Sequence, residues 1–190
     1  MLKTNDTWKD GYELLPRKIS FNDKKIQFTP IEDSTSLLKS LTPLELNNRE
    51  DKSYRYTARS ASEVKAFAIN SLTSLGYGNF ATCDQLADLA ETLFARFKTN
   101  YLKCRMDLVY TDSCRKFHID SLYVRAITTL LGPGTEYKLN SKSNEIHQVE
   151  TGETILLKGL RSSGKKPKVL HRSPPISKLG IKRLVFVMDY

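Results

Sequence analysis

Long apolar runs are missing from this chain of 190 residues: the longest, Leu184 to Met188, covers five positions. A bilayer-spanning helix needs about 18, so no membrane partner is expected. The amino terminus, MLKTNDTWKDG, has no apolar core of the kind a secretory leader carries, and the expected location is the cytoplasm. Cysteine is scarce as well. The three residues Cys83, Cys104 and Cys114 are an odd number, which argues against a disulfide framework and for free thiols in a reducing compartment. Histidine is equally rare, so an imidazole-based site can draw only on His118, His147 and His171. No Walker motif, dinucleotide fingerprint or Ser/His/Asp arrangement is present. Gly132-Pro-Gly134 reads as a turn, because no helix follows it whose amino-terminal N–H groups would cradle a phosphate.

Acidic residues are thin in one half. Residues 1–100 hold 14 Lys/Arg against 13 Asp/Glu, whereas 101–190 hold 16 against 8, so almost all of the +9 net charge lies in the second half. From Lys158 to Arg183 there are nine basic residues and no acidic one. An anionic partner is expected near that stretch, against the plainer reading of a solvated basic loop.

What is present is ordinary globular composition, 39% hydrophobic and 27% charged, consistent with one folded domain over 1–190. Residues 1–58 are polar and mixed, with prolines at 16, 30 and 43, and read as an irregular arm carrying short extended pieces and one turn of helix near Ser36 to Leu41. Residues 59–100 read as two helices. Ser60-Ala-Ser-Glu63 has capping-box spacing, and Val64, Phe67, Ala68, Leu72 and Leu75 follow at helical intervals. A second box, Thr82-Cys-Asp-Gln85, opens a stripe of Leu86, Leu89, Ala90, Leu93, Phe94 and Phe97. After Asn100 the apolar period drops to two. Leu102, Cys104, Met106, Leu108 and Tyr110 alternate with polar neighbours as in a half-buried strand, and further strands are expected at 123–131, 154–158, 169–172 and 183–190. Helices followed by strands make an α+β chain: an antiparallel sandwich or barrel over 101–190, with the two helices packed on its outside.

Two histidines sit where chemistry can gather. In Cys114-Arg-Lys-Phe-His118-Ile-Asp120 the imidazole and carboxylate are two residues apart, so on an extended strand both project from one face. His171, at the end of the short strand Val169-Leu170-His171, supplies a third donor. Two imidazoles and a carboxylate make the facial set that leaves open positions on a non-haem ferrous ion. Alone, His-x-Asp is a weak signal; the second histidine, the strand-rich context and the following arginine strengthen it. Parity along the last strand puts Arg183, Val185 and Val187 on one face and Leu184, Phe186 and Met188 on the other. Arg183, on a strand expected to return antiparallel to that of His171, would meet a carboxylate inside the sheet. Lys182 takes that role if the register is off by one. Arg125 reads as an outer-face or salt-bridged residue, and His147 as a loop residue.

The pattern His118-x-Asp120, a spacer of about fifty residues, His171 and then Arg183 resembles the double-stranded β-helix (jelly-roll, cupin-like) core of iron(II)- and 2-oxoglutarate-dependent dioxygenases. Cys-x-x-Phe-His-x-Asp (114–120), Leu-Gly-Pro-Gly-Thr-Glu-Tyr (131–137), Leu-Leu-Lys-Gly (156–159), His-Arg-Ser-Pro (171–174) and Arg-Leu-x-x-x-x-Asp (183–189) also resemble an uncharacterised, mostly bacterial family, domain of unknown function 1826. The resemblance implies an oxidoreductase that hydroxylates an unidentified small-molecule or anionic substrate. It implies Fe(II) held by His118, Asp120 and His171, which would also be the catalytic centre, and 2-oxoglutarate anchored by Arg183, with Tyr123 and Tyr137 as candidate hydroxyl donors to that co-substrate. Two alternatives stay open. If Cys114 joins the set, four donors suit closed, tetrahedral zinc and a non-catalytic role in metal homeostasis. The basic stretch admits nucleic-acid binding or modification, although few aromatics interleave it as a stacking platform would require.

Overall fold

In a computed structural model, residues 11–15, 17–23, 50–78 and 80–190 are described. The elements along them are β1 (Tyr12–Leu15), β2 (Lys52–Ala58), α1 (Ala61–Ser74), α2 (Phe80–Phe97), β3 (Leu102–Val109), β4 (Val124–Leu131), β5 (Glu136–Lys138), β6 (His147–Gln148), β7 (Thr154–Lys158), β8 (Leu170–Arg172) and β9 (Arg183–Asp189). The expected helical turn near Ser36 to Leu41 lies outside the described residues.

The first helix begins as its residues dictate. Ser60 Oγ accepts from Glu63 N–H at 3.2 Å, and the Glu63 carboxylate reaches back to the Arg59 N–H at 2.8 Å. The second differs from expectation: α2 starts at Phe80, ahead of the Thr82–Gln85 box. Those two side chains have other partners, since Thr82 Oγ1 donates to the Ser20 carbonyl and Gln85 Oε1 accepts from the Ser20 N–H at 2.9 Å. They fasten the arm to the helix and do not cap it.

All strand pairs are antiparallel, in a six-stranded sheet of order β1-β7-β4-β9-β3-β2 and a three-stranded sheet of order β6-β5-β8. The arm expected to be irregular thus supplies both edges of the larger sheet. Among the described residues the two sheets do not close into the expected barrel, and the fold is an α+β arrangement of two helices and two antiparallel sheets.

Strand alternation divides the larger sheet between two cores. Leu102, Cys104, Met106, Leu108, Ala126, Leu130, Leu156, Leu184, Phe186 and Met188 point to the helices, where they meet Val64, Phe67, Leu72, Leu86, Ala90 and Leu93. Ile127, Ile155, Leu157, Val185 and Val187 point the other way and meet Tyr137, Val149 and Val169 between the sheets. The parity expected for β9 is therefore observed: Arg183 faces the space between the sheets. Its strand does not pair with that of His171, however. β9 sits between β3 and β4, while β8 pairs with β5 in the other sheet, because the chain from 173 to 182 crosses between layers. No helix among the described residues is long and apolar enough to cross a membrane.

Candidate metal centre

His118, Asp120 and His171 come together although neither of the first two lies in a strand. His118 makes a single antiparallel bridge to His171, with His118 N–H to His171 O at 3.1 Å and His171 N–H to His118 O at 3.0 Å. The expected extended segment through 118–120 is reduced to that one bridge, and a loop contact places Asp120 instead. Leu160 N–H donates to the Asp120 carbonyl at 2.8 Å and Arg161 N–H to the Leu122 carbonyl at 3.0 Å. Gly159 permits this approach, since a Cβ there would collide with the Leu122 carbonyl.

One donor atom from each of the three side chains falls within 4.8 Å of the others. His118 Nε2 is 3.6 Å from Asp120 Oδ1, His171 Nε2 is 3.1 Å from Asp120 Oδ2, and the two imidazole centroids are 4.5 Å apart. The surroundings orient these groups. His118 Nδ1 lies 2.9 Å from the Lys116 carbonyl, which makes Nδ1 the protonated nitrogen and turns the Nε2 lone pair toward the cluster. Asp120 Oδ1 accepts from Arg125 at 2.6 Å, and Arg125 is held by a bidentate pair to Asp189, Nε to Oδ1 and an NH2 group to Oδ2, each at 2.7 Å. Asp120 Oδ2 is buried and receives no well-directed hydrogen bond, even from the nearby His171. An orphaned carboxylate oxygen beside two imidazoles is a donor set that could hold a divalent metal ion.

Charge states suit the same use. Burial would raise the Asp120 carboxyl, but the His171 imidazole and the Arg125 guanidinium outweigh it and hold it below the usual carboxylate value. Burial pushes His171 below the ordinary imidazole value, with Asp120 pulling the other way. A carboxylate and a neutral imidazole are the forms that ligate.

Cys114 is closer than extended geometry allows. Its φ of +62° bends the chain, and Sγ comes to 3.7 Å from His118 Nε2, with the residue exposed. The loop is pinned to the segment after β8: Ser173 N–H donates to the Cys114 carbonyl at 3.1 Å, and the Asp112 carboxylate accepts from Ile176 N–H at 2.7 Å and Ser177 N–H at 2.9 Å. These bonds from Ser177 in particular lower the Asp112 pKa. Cys83 and Cys104, by contrast, are buried, which raises their thiols to about 11 and about 12.

A cavity of about 330 Å³ opens between the layers, lined by His171, Cys114, Arg125, Arg183, Val185 and Val187 among others. Arg183 is 3% exposed and donates to Pro133 O at 2.7 Å, Ser173 Oγ at 2.9 Å, Thr129 Oγ1 at 3.0 Å and Thr135 Oγ1 at 2.9 Å. All four acceptors are neutral. Burial lowers its pKa to about 10, which leaves it charged at neutral pH.

Other expected site residues are placed elsewhere. Lys182 points to the helix side, donating to Tyr77 Oη at 2.9 Å and to Asp23 at 3.0 Å, as its opposite parity to Arg183 requires. Tyr123 is 48% exposed and stacked on Tyr190 at 5.9 Å, outside the cavity lining. Tyr137 is buried in register with His171 but packs between Tyr12 and His147, at 5.2 and 5.1 Å. His147 is in β6, beyond Tyr137 from His171 and outside the cluster. The basic stretch divides: Arg172 pairs with Glu136 at 2.6 Å, Lys182 and Arg183 are engaged as described, and Arg161, Lys165, Lys166, Lys168 and Lys178 are exposed. The Arg125–Asp189 support escaped the sequence; Asp189 is visible there only as the last position of the Arg-Leu-x-x-x-x-Asp segment.

Fold and site together define an α+β protein with a two-histidine, one-carboxylate cluster able to take a divalent ion. The chain belongs to the family described as "Protein of unknown function (DUF1826)", whose model matches residues 27–189. No curated protein matches its sequence. Among solved structures it is similar to dioxygenase for auxin oxidation 1 from Arabidopsis thaliana, determined as a complex with 2-oxoglutarate, at 15% identity and a TM-score of 0.47 over 73% of this chain and 62% of that one. The dioxygenase for auxin oxidation of rice matches at 19% identity and a TM-score of 0.45, over 73% of this chain and 55% of that one. A Pseudomonas putida prolyl-4-hydroxylase matches at 16% identity and a TM-score of 0.43, over 73% and 91%. This chain thus spans less than two thirds of the two plant enzymes. All three TM-scores lie below 0.5.

Proposed function

We propose that the chain is an Fe(II)- and 2-oxoglutarate-dependent oxygenase built on a double-stranded β-helix. One observation carries the reading: His171, a member of the His118–Asp120–His171 cluster, lines the same cavity as Arg183, a buried arginine that has no carboxylate partner among the described residues. The strand order supports the fold. From β3 onward the chain alternates between layers, with β3, β4, β7 and β9 in one sheet and the His118 bridge, β5, β6 and β8 in the other. Pairing of β9 between β3 and β4, opposite a row of the His118 bridge, β8, β5 and β6, is the order expected of a β-helix wound from two strands and supports that reading.

His118 Nε2, Asp120 Oδ2 and His171 Nε2 would hold the metal, and Arg125 would keep Asp120 Oδ1 occupied so that Oδ2 stays turned inward. A bound ferrous ion with 2-oxoglutarate supplies the activation of oxygen by which a substrate C–H bond is hydroxylated. Arg183 would receive the distal carboxylate of 2-oxoglutarate, with Ser173 and Thr135 holding the guanidinium in place; a buried cation with only neutral acceptors is short of an anion. Val185, Val187 and Ile127 give the floor an apolar surface that keeps water from these groups.

The test is anaerobic titration of Fe(II) and 2-oxoglutarate into the apoprotein. A visible charge-transfer band is expected, followed under air by 2-oxoglutarate-dependent release of succinate. His118→Ala, Asp120→Ala and His171→Ala should each lose the metal, and Arg183→Ala should keep the metal and lose the co-substrate. Tight zinc with no band would overturn the reading. That outcome would favour a second one, a metal-holding protein without catalysis, for which the specific observation is Cys114 Sγ at 3.7 Å from His118 Nε2. Four donors including a thiolate suit tetrahedral zinc, and Cys114→Ala would then weaken zinc and leave ferrous ion unaffected.

A further inference from the structure

A second concentration of positive charge lies in the same cavity, away from Arg183. β2 and β3 pair so that Arg55 stands directly opposite Arg105, and alternation puts both on the cavity face together with Ser53 and Asp107. Like charges at directly opposed positions repel, with Cβ atoms about 5 Å apart. Asp107 offsets one of them: its Oδ2 is 2.7 Å from Arg105 Nε, and its Oδ1 accepts from Ser53 Oγ at 2.7 Å. The Arg105 contact is poorly directed, so Nε is buried without a proper acceptor. Arg55 is exposed, and among the described residues no carboxylate pairs with it. Asp51, the other acid in the lining, is occupied by the Tyr110 N–H at 2.7 Å, the Thr111 N–H at 3.2 Å and the Thr111 hydroxyl.

The register separates this pair from Arg183. Arg105 is opposite Val187, four residues along β9 from Arg183, or about 13 Å, and β3 and β2 lie about 5 and 10 Å to the side of β9. One molecule of 2-oxoglutarate anchored at Arg183 leaves Arg55 and Arg105 unused.

We propose that Arg55 and Arg105 form a second anion-binding locus, which takes the carboxylate or phosphate of an acidic small molecule lying in the cavity toward His171. Two guanidinium forks on neighbouring strands can bracket one oxyanion, whose negative charge relieves their repulsion and supplies the acceptor Arg105 Nε lacks. A cavity of about 330 Å³ is of a size for a small molecule. Identification of that molecule as the substrate rests on the oxygenase reading; binding of the anion does not.

The experiment uses the full chain without metal and without 2-oxoglutarate, titrated calorimetrically with inorganic phosphate and, separately, with acetate. Saturable binding of at least one is expected, and the preferred ion tells phosphate from carboxylate. Arg105→Gln and Arg55→Gln should each weaken binding about tenfold or more, and Arg105→Lys should restore part of what Arg105→Gln loses. Arg55 is exposed on an edge strand, so its variant keeps the test decisive if Arg105→Gln fails to fold. No saturable binding of either ion, or wild-type affinity in the Arg55 variant, would overturn the proposal. With metal and co-substrate left out, this result and that of the iron titration stand or fall separately.

Discussion

The two faces of the six-stranded sheet are made by the same strands and put to opposite uses. Toward the helices, β9 contributes Leu184, Phe186 and Met188 to a core in which Arg96 and Glu13 form a part-buried ion pair at 2.6 Å. Toward the smaller sheet, the intervening positions Arg183, Val185 and Val187 join a far smaller apolar cluster, and His171, Arg183, Thr129 and Thr135 are buried polar neighbours there. One face is mainly apolar burial, which stabilises, with a few paired polar groups within it; the other carries a buried guanidinium and imidazole that cost stability unless each is satisfied. Alternation with a period of two lets one segment do both.

The strongest way to break this comparison is to remove a side chain from the helix face. Phe186 is 1% exposed, and Phe186→Ala should cost about 3–5 kcal/mol in denaturant unfolding; a loss below about 1 kcal/mol would mean that this face is not where stability resides. An intermediate effect is expected beneath the metal cluster. Arg125→Gln removes the fork that joins Asp120 to Asp189, and divalent-metal affinity measured by competition with a chelator should drop about 10–100-fold, with the metal still bound. The smallest effect is a pH slope on the cavity face. Burial holds the folded-state His171 pKa below 6.5, so the unfolded chain takes up a proton first as the pH falls. Stability of the apoprotein should therefore decline as pH drops below about 6.5, and the decline should shrink in His171→Gln. A melting temperature flat from pH 7.5 to about 5.5 would contradict the assigned burial.

Long alternating segments were legible in the sequence because burial on two unlike faces writes a period of two into them; β3 and β9 fall within a residue of the expected bounds, and Arg183 faces the expected way. β5 and β6, with three and two residues, are too short to show any period and were missed. Convergence of His118, Asp120 and His171 followed from residue type and spacing, but its means did not. A bridge, a glycine-permitted loop contact and a left-handed Cys114 do the positioning, and none has a periodic signature. The hydroxyls of Tyr123 and Tyr137 make them candidate donors by residue type, whereas their places are set by ring stacking. The Thr82–Gln85 box failed because a side chain that can cap can equally bind a neighbouring backbone.

The central position of β9 bears on how the protein is made. Its neighbours β3 and β4 do not touch through backbone bonds without it, so while the ribosome has yet to release residues 183–189, two strand edges face an open seam. Insertion of β9 closes that seam and brings Arg183 into the interior in the same event. The buried cation of the cavity is thereby installed together with the strand that completes the sheet, and not before β3 and β4 have both been made.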